Sequence, residues 1–250
     1  MNRKYLGLFL LFIFLFVLTG CNLDQPIKAD GGMWDRFFVY PLAWSLEYIA
    51  QTMNPTGEEA HDRYGWAIVI LTIVIRFVIL PLTIKQRSGS QKMQALKPEI
   101  EEIRQKYEDE EVAHEETMKL FERHKVNPAV GCLPLFIQMP IIIALLHAIR
   151  RHDMIPGHQF FGVELGEPFW GFALLAGFTT FLQQKIAGST DHLILQFLLV
   201  ALPISVTVFA WFFPSALSLY WVVGNLFMMA YTLVTKAYKQ EENVMVEAKQ

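Results

Sequence analysis

Five apolar stretches dominate the chain, at residues 65–84, 128–149, 168–186, 193–213 and 215–235. Each approaches the ~20 residues that an α-helix needs to cross the hydrocarbon of a bilayer. Backbone in lipid must satisfy its own N–H and C=O groups, so stretches of this length are expected to be helices. Composition agrees. Charged residues make up 18% of the chain, below the ~25% of soluble proteins. The expected fold class is an all-α polytopic membrane protein with five transmembrane helices.

The first 20 residues read as a signal peptide. Arg3 and Lys4 precede an apolar run at 6–18 that is short for a span. The run ends in Leu18-Thr19-Gly20-Cys21, which is similar to the lipobox of bacterial lipoproteins, where a cysteine behind small residues is lipidated and becomes the mature N-terminus. Cys21 is therefore the expected lipidation site. A covalent diacylglyceryl and fatty-acyl (palmitate) group there would hold it at the outer face, because two chains suffice for stable anchoring. Residues 33–53 carry Trp34, Phe37, Phe38, Tyr40, Trp44 and Tyr48 among polar residues. Trp34, Phe38, Leu42 and Ile49 fall near one helical face, which predicts an outer interfacial amphipathic helix. Asn54-Pro55-Thr56-Gly57 ends it.

Charge sets the orientation. With Cys21 outside, five spans put the C-terminus in the cytoplasm and the loop after the first span inside. Residues 85–125 hold nine Lys/Arg, in keeping with the positive-inside rule. Arg150-Arg151, at the outer end of the second span, is the exception. The organisation expected is a cleaved signal peptide at 1–20, a lipidated extracellular segment at 21–61, a first span at 62–85 and a cytoplasmic hairpin at 86–127. The second span at 128–149 leads to an extracellular loop at 150–167 and a third span at 168–186. A cytoplasmic loop at 187–192 precedes spans at 193–213 and 215–235 and a cytoplasmic tail at 236–250. Little more than Pro214 separates the last two spans, which predicts a tight helical pair.

Within 86–127, Met93, Leu96, Ile100, Ile103 and Tyr107 recur at spacings of three and four, with Pro98 beginning or breaking a helix. Ala113, Thr117, Leu120, Phe121 and His124 make a second stripe. With the acidic turn at 108–111 between them, the two stripes predict a cytoplasmic antiparallel helical hairpin.

Catalytic chemistry finds little support. Cys21 and Cys132 give neither a disulfide framework nor a metal site. No G-x-x-x-x-G-K-[ST] or G-x-G-x-x-G is present to cradle phosphate. His114-Glu115-Glu116-Thr117-Met118 has Met where a zinc-binding H-E-x-x-H needs its second His. The expectation is no enzyme, no metal, no cofactor beyond the lipid on Cys21, and no nucleic-acid recognition.

Arg76 is the informative residue. It sits mid-way along the first span, between Ile73-Val74-Ile75 and Phe77-Val78-Ile79, and none of the five stretches contains an Asp or Glu. A charge at that depth costs about 2.5–3.5 kcal/mol, so it should face a wet cavity or a partner. About eight residues at ~1.5 Å each separate it from the inner end of the span, too far for easy snorkelling. Thr72 shares its face. Gln138 falls mid-way along the second span, Gln183 and Gln184 toward the inner end of the third, and Gln196 toward the inner end of the fourth. Asn225, one turn beyond Trp221, is mid-way along the fifth. Each alone reads as interhelical hydrogen-bonding. Together with Arg76 they predict a polar chamber in the inner half of the membrane.

Three motifs, in order and on successive spans, carry a resemblance. They are Arg76-Phe77-Val78-Ile79-Leu80-Pro81-Leu82 with the following Met93-Gln94, Pro98 and Tyr107; Phe136-Ile137-Gln138-Met139-Pro140; and Phe213-Pro214-Ser215-Ala216-Leu217-Ser218-Leu219-Tyr220-Trp221 with Asn225. The chain resembles the YidC/Oxa/Alb insertases, in the lipoprotein form of single-membrane bacteria, over essentially its whole mature length. The resemblance implies a membrane-protein insertase and chaperone of the plasma membrane. Its hydrophilic groove would be open to the cytoplasm and to lipid and closed to the outside. The groove arginine carries over to Arg76, a groove glutamine to Gln184 with Gln183 as the alternative, and the last-span aromatic to Trp221. Implied partners are nascent membrane-protein substrates and the bilayer, with the Sec translocon and the ribosome as further candidates. Residues 236–250 are short, with three Lys against three Glu, unlike the long basic tails with which some members bind ribosomes. A secondary transporter or channel using the same polar residues is the alternative reading.

The anchor can be tested directly. Labelled lipid should attach to the wild-type chain and not to Cys21→Ser, and equal labelling of both would remove the lipoprotein assignment.

Overall fold

The computed structural model describes residues 27–28, 32–53, 62–126, 133–151, 155, 157–187 and 193–247. The expected signal peptide, Cys21 and residues 188–192 lie outside these. Helix dominates. A π-helical turn, Asp35–Val39, runs into α1 (Tyr40–Thr52). Then follow α2 (Arg63–Ala95), α3 (Lys97–Lys106), α4 (Glu110–Arg123) and α5 (Leu133–Arg151). A two-residue hairpin of β1 (Gln159–Phe160) and β2 (Val163–Glu164) precedes α6 (Trp170–Ala187), α7 (Leu193–Trp211) and α8 (Ser215–Glu247). The expected boundaries at 85 and 235 fall inside α2 and α8, which run on through polar residues to Ala95 and Glu247.

The chain divides into two compact units, Met1–Arg76 with Ile142–Gln250, and Phe77–Ile141. In the first unit, α6 is the helix on which α7 and α8 both pack. Its buried face is small: Ala173, Ala176, Gly177, Thr179 and Thr180. Small residues let helices approach closely where lipid supplies no hydrophobic drive between them. A Cβ on Gly177 would lie 1.8 Å from Thr207 Oγ1 and 3.0 Å from the Pro203 carbonyl oxygen. The tight pairing expected of α7 with α8 is therefore secondary. Although only residues 212–214 join them, each packs along α6 far more than along the other.

The outward surfaces of these helices are apolar. Trp66, Ile70 and Val74 on α2 are exposed, as are Leu174 and Phe178 on α6, Ile204 and Val208 on α7, and Leu233 and Val234 on α8. Exposed apolar residues in this number fit lipid rather than water. Among the described residues, Arg63–Gln86 and Ser215–Tyr238 are each long and apolar enough to cross a membrane.

The segments expected at the outer face are tied down by polar contacts. Leu165 and Glu167 carbonyls accept from the Ala216 and Ser215 N–H groups at 3.1 and 2.8 Å. They thereby satisfy donors that the first turn of a helix leaves without intrahelical partners. Ser215 Oγ donates to the Glu164 carbonyl. The β1–β2 turn has Phe161 at φ +50° and Gly162 at +78°, as tight hairpins with two positive-φ residues require. Phe160 is buried where Gly65 leaves room, since a Cβ at 65 would meet its ring at 2.0 Å.

α1 buries Ala43, Leu46 and Ala50, with Val39 just ahead of it, and exposes Trp44 and Tyr48. The buried face is thus offset from the Trp34, Phe38, Leu42 and Ile49 face expected. Instead the aromatics stack in pairs one turn apart, Trp34 on Phe38 and Trp44 on Tyr48. Two contacts fix this segment. Tyr64 donates from its hydroxyl to Glu47 Oε2 at 2.6 Å. Arg151 donates to Asp35 through both terminal nitrogens, at 2.7 and 2.5 Å, and Nη1 also lies 3.3 Å from His147 Nδ1. The exception to the positive-inside rule thus has a partner: Arg151 is buried against a carboxylate 116 residues earlier in the chain.

In the second unit, Pro98 sits in the first turn of α3, where its missing N–H costs nothing. Asp109 caps α4 by accepting from the Glu111 N–H at 2.8 Å. Leu96, Leu120, Phe121 and Val126 form a small core with Ile100, Ile103 and Met118 against it. Both predicted stripes contribute to it. On the solvent side Lys119 contacts Glu115 and Glu116, and its hydrogen bond draws the Glu116 carboxyl below the ordinary carboxylate range.

The Asp35–Arg151 pair yields a prediction. Arg151 is 4% exposed, so Asp35→Asn strands a buried cation and should cost about 3–5 kcal/mol. Thermal unfolding in detergent should show a clear drop in Tm. The double replacement Asp35→Leu with Arg151→Met should recover most of it. Unchanged stability of Asp35→Asn would mean that the pair does not hold this segment.

Candidate functional site

Arg76 lies three turns into α2 and is half-buried. Its guanidinium carbon stands 5.7 Å from the centroid of the Tyr220 ring, within cation–π range. Its Nε is buried and has no hydrogen-bond partner among the described residues. Beside it on α8 is Gly224. A Cβ there would fall 2.3 Å from Nη2, 2.8 Å from Nε and 2.9 Å from Cζ of Arg76. The cation therefore rests on an aromatic face and a bare stretch of helix backbone. Neither neutralises its charge. Thr72, one turn earlier on α2, is buried and donates to its own helix at the Ile68 carbonyl, 2.6 Å away.

α8 presents two faces at this level. Tyr220 and Gly224, four apart, meet Arg76. Asn225, one residue on from Gly224, meets α6, and Trp221, one residue on from Tyr220, packs against a cluster drawn from α6, α7 and α8. Trp221 is half-buried against the cluster of Ala176, Val206 and Val222. Asn225 is buried, and its amide nitrogen donates to Thr179 Oγ1 at 3.1 Å and Thr180 Oγ1 at 2.9 Å. Both threonine hydroxyls donate in turn to α6 carbonyls. Asn225 thus clamps α8 to α6. The lower end of the same pairing is closed by Lys236 Nζ, which donates to the Ile186 carbonyl at 2.7 Å, a favourable place for a cation at a helix C-terminus.

Gln183 and Gln184 are half-buried one turn beyond Thr179 and Thr180. Gln138 is half-buried in the second unit, on α5. Gln196 lies on α7, with its side chain outside those described. Of the expected residues, then, Thr72 shares the Arg76 face of α2, while Asn225 is bonded to α6 and Trp221 packs against the Ala176, Val206 and Val222 cluster. Arg76's own neighbours on α8, Tyr220 and Gly224, were not singled out in the sequence. The available signal was a glycine in the middle of an apolar helix with an aromatic four residues before it. In lipid-embedded helices a small residue so placed marks a close approach.

A helical body with apolar outward faces, and with a cation inside it that pairs with no carboxylate among the described residues, belongs to the membrane-embedded class of proteins. The comparisons with known proteins specify the class. Residues 56–242 match the family model described as 60Kd inner membrane protein. Membrane protein insertase YidC 1 of Halalkalibacterium halodurans is 43% identical over 240 residues, covering 93% of this chain and 91% of its own. Membrane protein insertase MisCA of Bacillus subtilis is 42% identical over 254 residues, covering 96% and 95%. A solved structure described as an active YidC insertase with its first transmembrane domain resolved aligns with a TM-score of 0.65 at 25% identity. That alignment covers 86% of this chain and 49% of the solved one, so this chain spans about half of that protein's length. The chain belongs to the 60Kd inner membrane protein family, the family of the YidC insertases.

The Asn225 clamp can be separated from the Arg76 site by mutation. Because Thr179 and Thr180 keep their own backbone acceptors, Asn225→Ala orphans no donor. It should cost only about 1 kcal/mol, seen as a small drop in Tm. Insertion activity should be far less affected than in an Arg76 variant. A collapse of activity at undiminished Tm would instead put Asn225 in contact with substrate.

Proposed function

We propose that the chain inserts nascent membrane proteins, taking their hydrophobic segments from the cytoplasm and releasing them into the bilayer. Relatives at 39–43% identity over most of the chain carry the name membrane protein insertase. The observation that carries the mechanism is Arg76: a guanidinium inside an apolar helix, with a buried Nε lacking any acceptor among the described residues. On this reading Arg76, Thr72, Gln183 and Gln184 mark a hydrated groove in the inner half of the membrane.

The energetics are simple. A segment of 20 Leu-like residues gains roughly 10 kcal/mol on entering lipid. Its polar flank opposes this, at several kcal/mol per charge carried through the hydrocarbon centre. A wet groove shortens the dry path. Arg76 attracts acidic groups while they cross and, having no fixed counter-ion among the described residues, releases them again. Hydrophobic partition and the membrane potential, at ~2.3 kcal/mol per charge per 100 mV, drive the step.

The remaining architecture is part of the same proposal. Five spans run through α2, α5, α6, α7 and α8. The segment 33–53 lies at the outer interface under a lipidated Cys21, and α3 and α4 form a cytoplasmic hairpin. The exposed Trp44 and Tyr48 suit a headgroup layer. The Sec translocon and the ribosome are candidate partners.

The test is a reconstituted protease-protection assay on single-span substrates with acidic or neutral translocated flanks. Arg76→Ala should reduce insertion of the acidic-flank substrate by about tenfold or more, roughly 1.4 kcal/mol, and affect the neutral one less. Arg76→Lys should retain substantial activity, since it keeps the charge while losing the planar fork. Full activity of Arg76→Ala on both substrates would take the charge out of the mechanism. Solute flux without insertion would favour the transporter reading.

A further inference from the structure

We propose that Gly224 and Tyr220 are positioning residues that form the seat of Arg76, fixing where its charge stands. The inference rests on the reading of Arg76 as the groove cation. Two observations carry it. The guanidinium overlaps the space that a side chain at 224 would occupy, with three of its atoms within 2.9 Å of an ideal Cβ. One turn earlier on the same face of α8, the Tyr220 ring lies under the same guanidinium at 5.7 Å, and Tyr220 itself is buried.

An arginine side chain has several rotatable bonds, and a salt bridge would normally hold it. This one has a buried, unpartnered Nε and must be located some other way. Shape supplies the location. The bare backbone at Gly224 gives the planar fork a slot, and the Tyr220 face attracts the cation without neutralising it. A carboxylate in that place would fix Arg76 equally well but would cancel the charge that acidic flanks are to meet. The seat resolves the conflict between holding the cation still and leaving it available.

Gly224→Ala is a clean probe because the atoms in conflict are the far end of a flexible side chain. The helix itself favours Ala over Gly, so α8 should form and the guanidinium should be the group that moves. Full-length variants in proteoliposomes would be assayed for insertion of the acidic-flank substrate, with membrane levels checked by blot. G224A should lower insertion several-fold, to about the level of R76K and not as far as R76A, because both variants keep the charge and lose its fixed place. The discriminating arm is the double variant. Lysine lacks the planar fork that fills the slot, so R76K/G224A should insert as well as R76K alone. A packing lesion would instead lower both backgrounds by the same factor, and that result overturns the seat. Y220L should likewise impair insertion only while Arg76 is present, and Y220F, which keeps the ring, should lose less than Y220L. These two variants decide the matter if G224A fails to accumulate. Full activity of G224A alongside an impaired R76A overturns the seat and leaves the Arg76 reading standing. Full activity of R76A overturns that reading itself.

Discussion

The first unit of this protein depends on helices coming close enough to touch backbone to side chain without help from water. In a bilayer, lipid tails are as apolar as the residues facing them, so burying leucine against leucine gains little. Close approach through small residues replaces it. Gly177 brings α6 against Pro203 and Thr207 of α7. The neighbouring Ala173 and Ala176 are fully buried on the same helix. Further along α6, Thr179 and Thr180 receive the amide of Asn225, a polar clasp that holds where hydrophobic packing would slide. With α8 thus fixed, its other face presents Tyr220 and Gly224 to Arg76.

Two arginines in apolar surroundings meet opposite fates, and the difference follows from what stands beside them. Arg151 is held by both oxygens of Asp35 and touched by His147. Its charge is spent on structure, fastening the segment before α1 to the end of α5. Arg76 has an aromatic ring and a glycine for company. Among the described residues no carboxylate pairs with Arg76, and on the proposed function this leaves its charge to act transiently on a passing acidic group. Desolvation makes a fully paired buried ion a poor source of attraction for anything else.

Much of this was legible in the sequence because it depends on local pattern. The apolar stretches announced α2, α5, α6, α7 and α8, since a chain in lipid has few alternatives to helix. The periodic stripes through Leu96, Ile100, Ile103 and Leu120, Phe121 foretold the small core of the second unit, with Pro98 at a helix start and the acidic residues 108–111 at the turn between its helices. Arg76 stood out because an ionisable residue at mid-span is costly wherever it points. Pairing was not legible. Nothing local says that Asp35 belongs to Arg151, more than a hundred residues away, or that the residues at 164–167 supply acceptors for the first turn of α8.

The sequence by itself thus determined the class of protein, its long apolar helices and the mid-helix charge that has to be explained, because hydrophobic length and the energetic cost of a buried ion are properties of residues and their order. Tertiary structure alone decided the roles of neighbours. Trp221 and Asn225 looked equal to any other groove candidates, yet a helix turns by about 100° per residue, and that single step takes Asn225 to the α6 threonines and Trp221 to the Ala176, Val206 and Val222 cluster while Tyr220 and Gly224 meet the cation. Which face of α8 turns toward which helix is fixed by packing on α6, and no periodicity within α8 contains it.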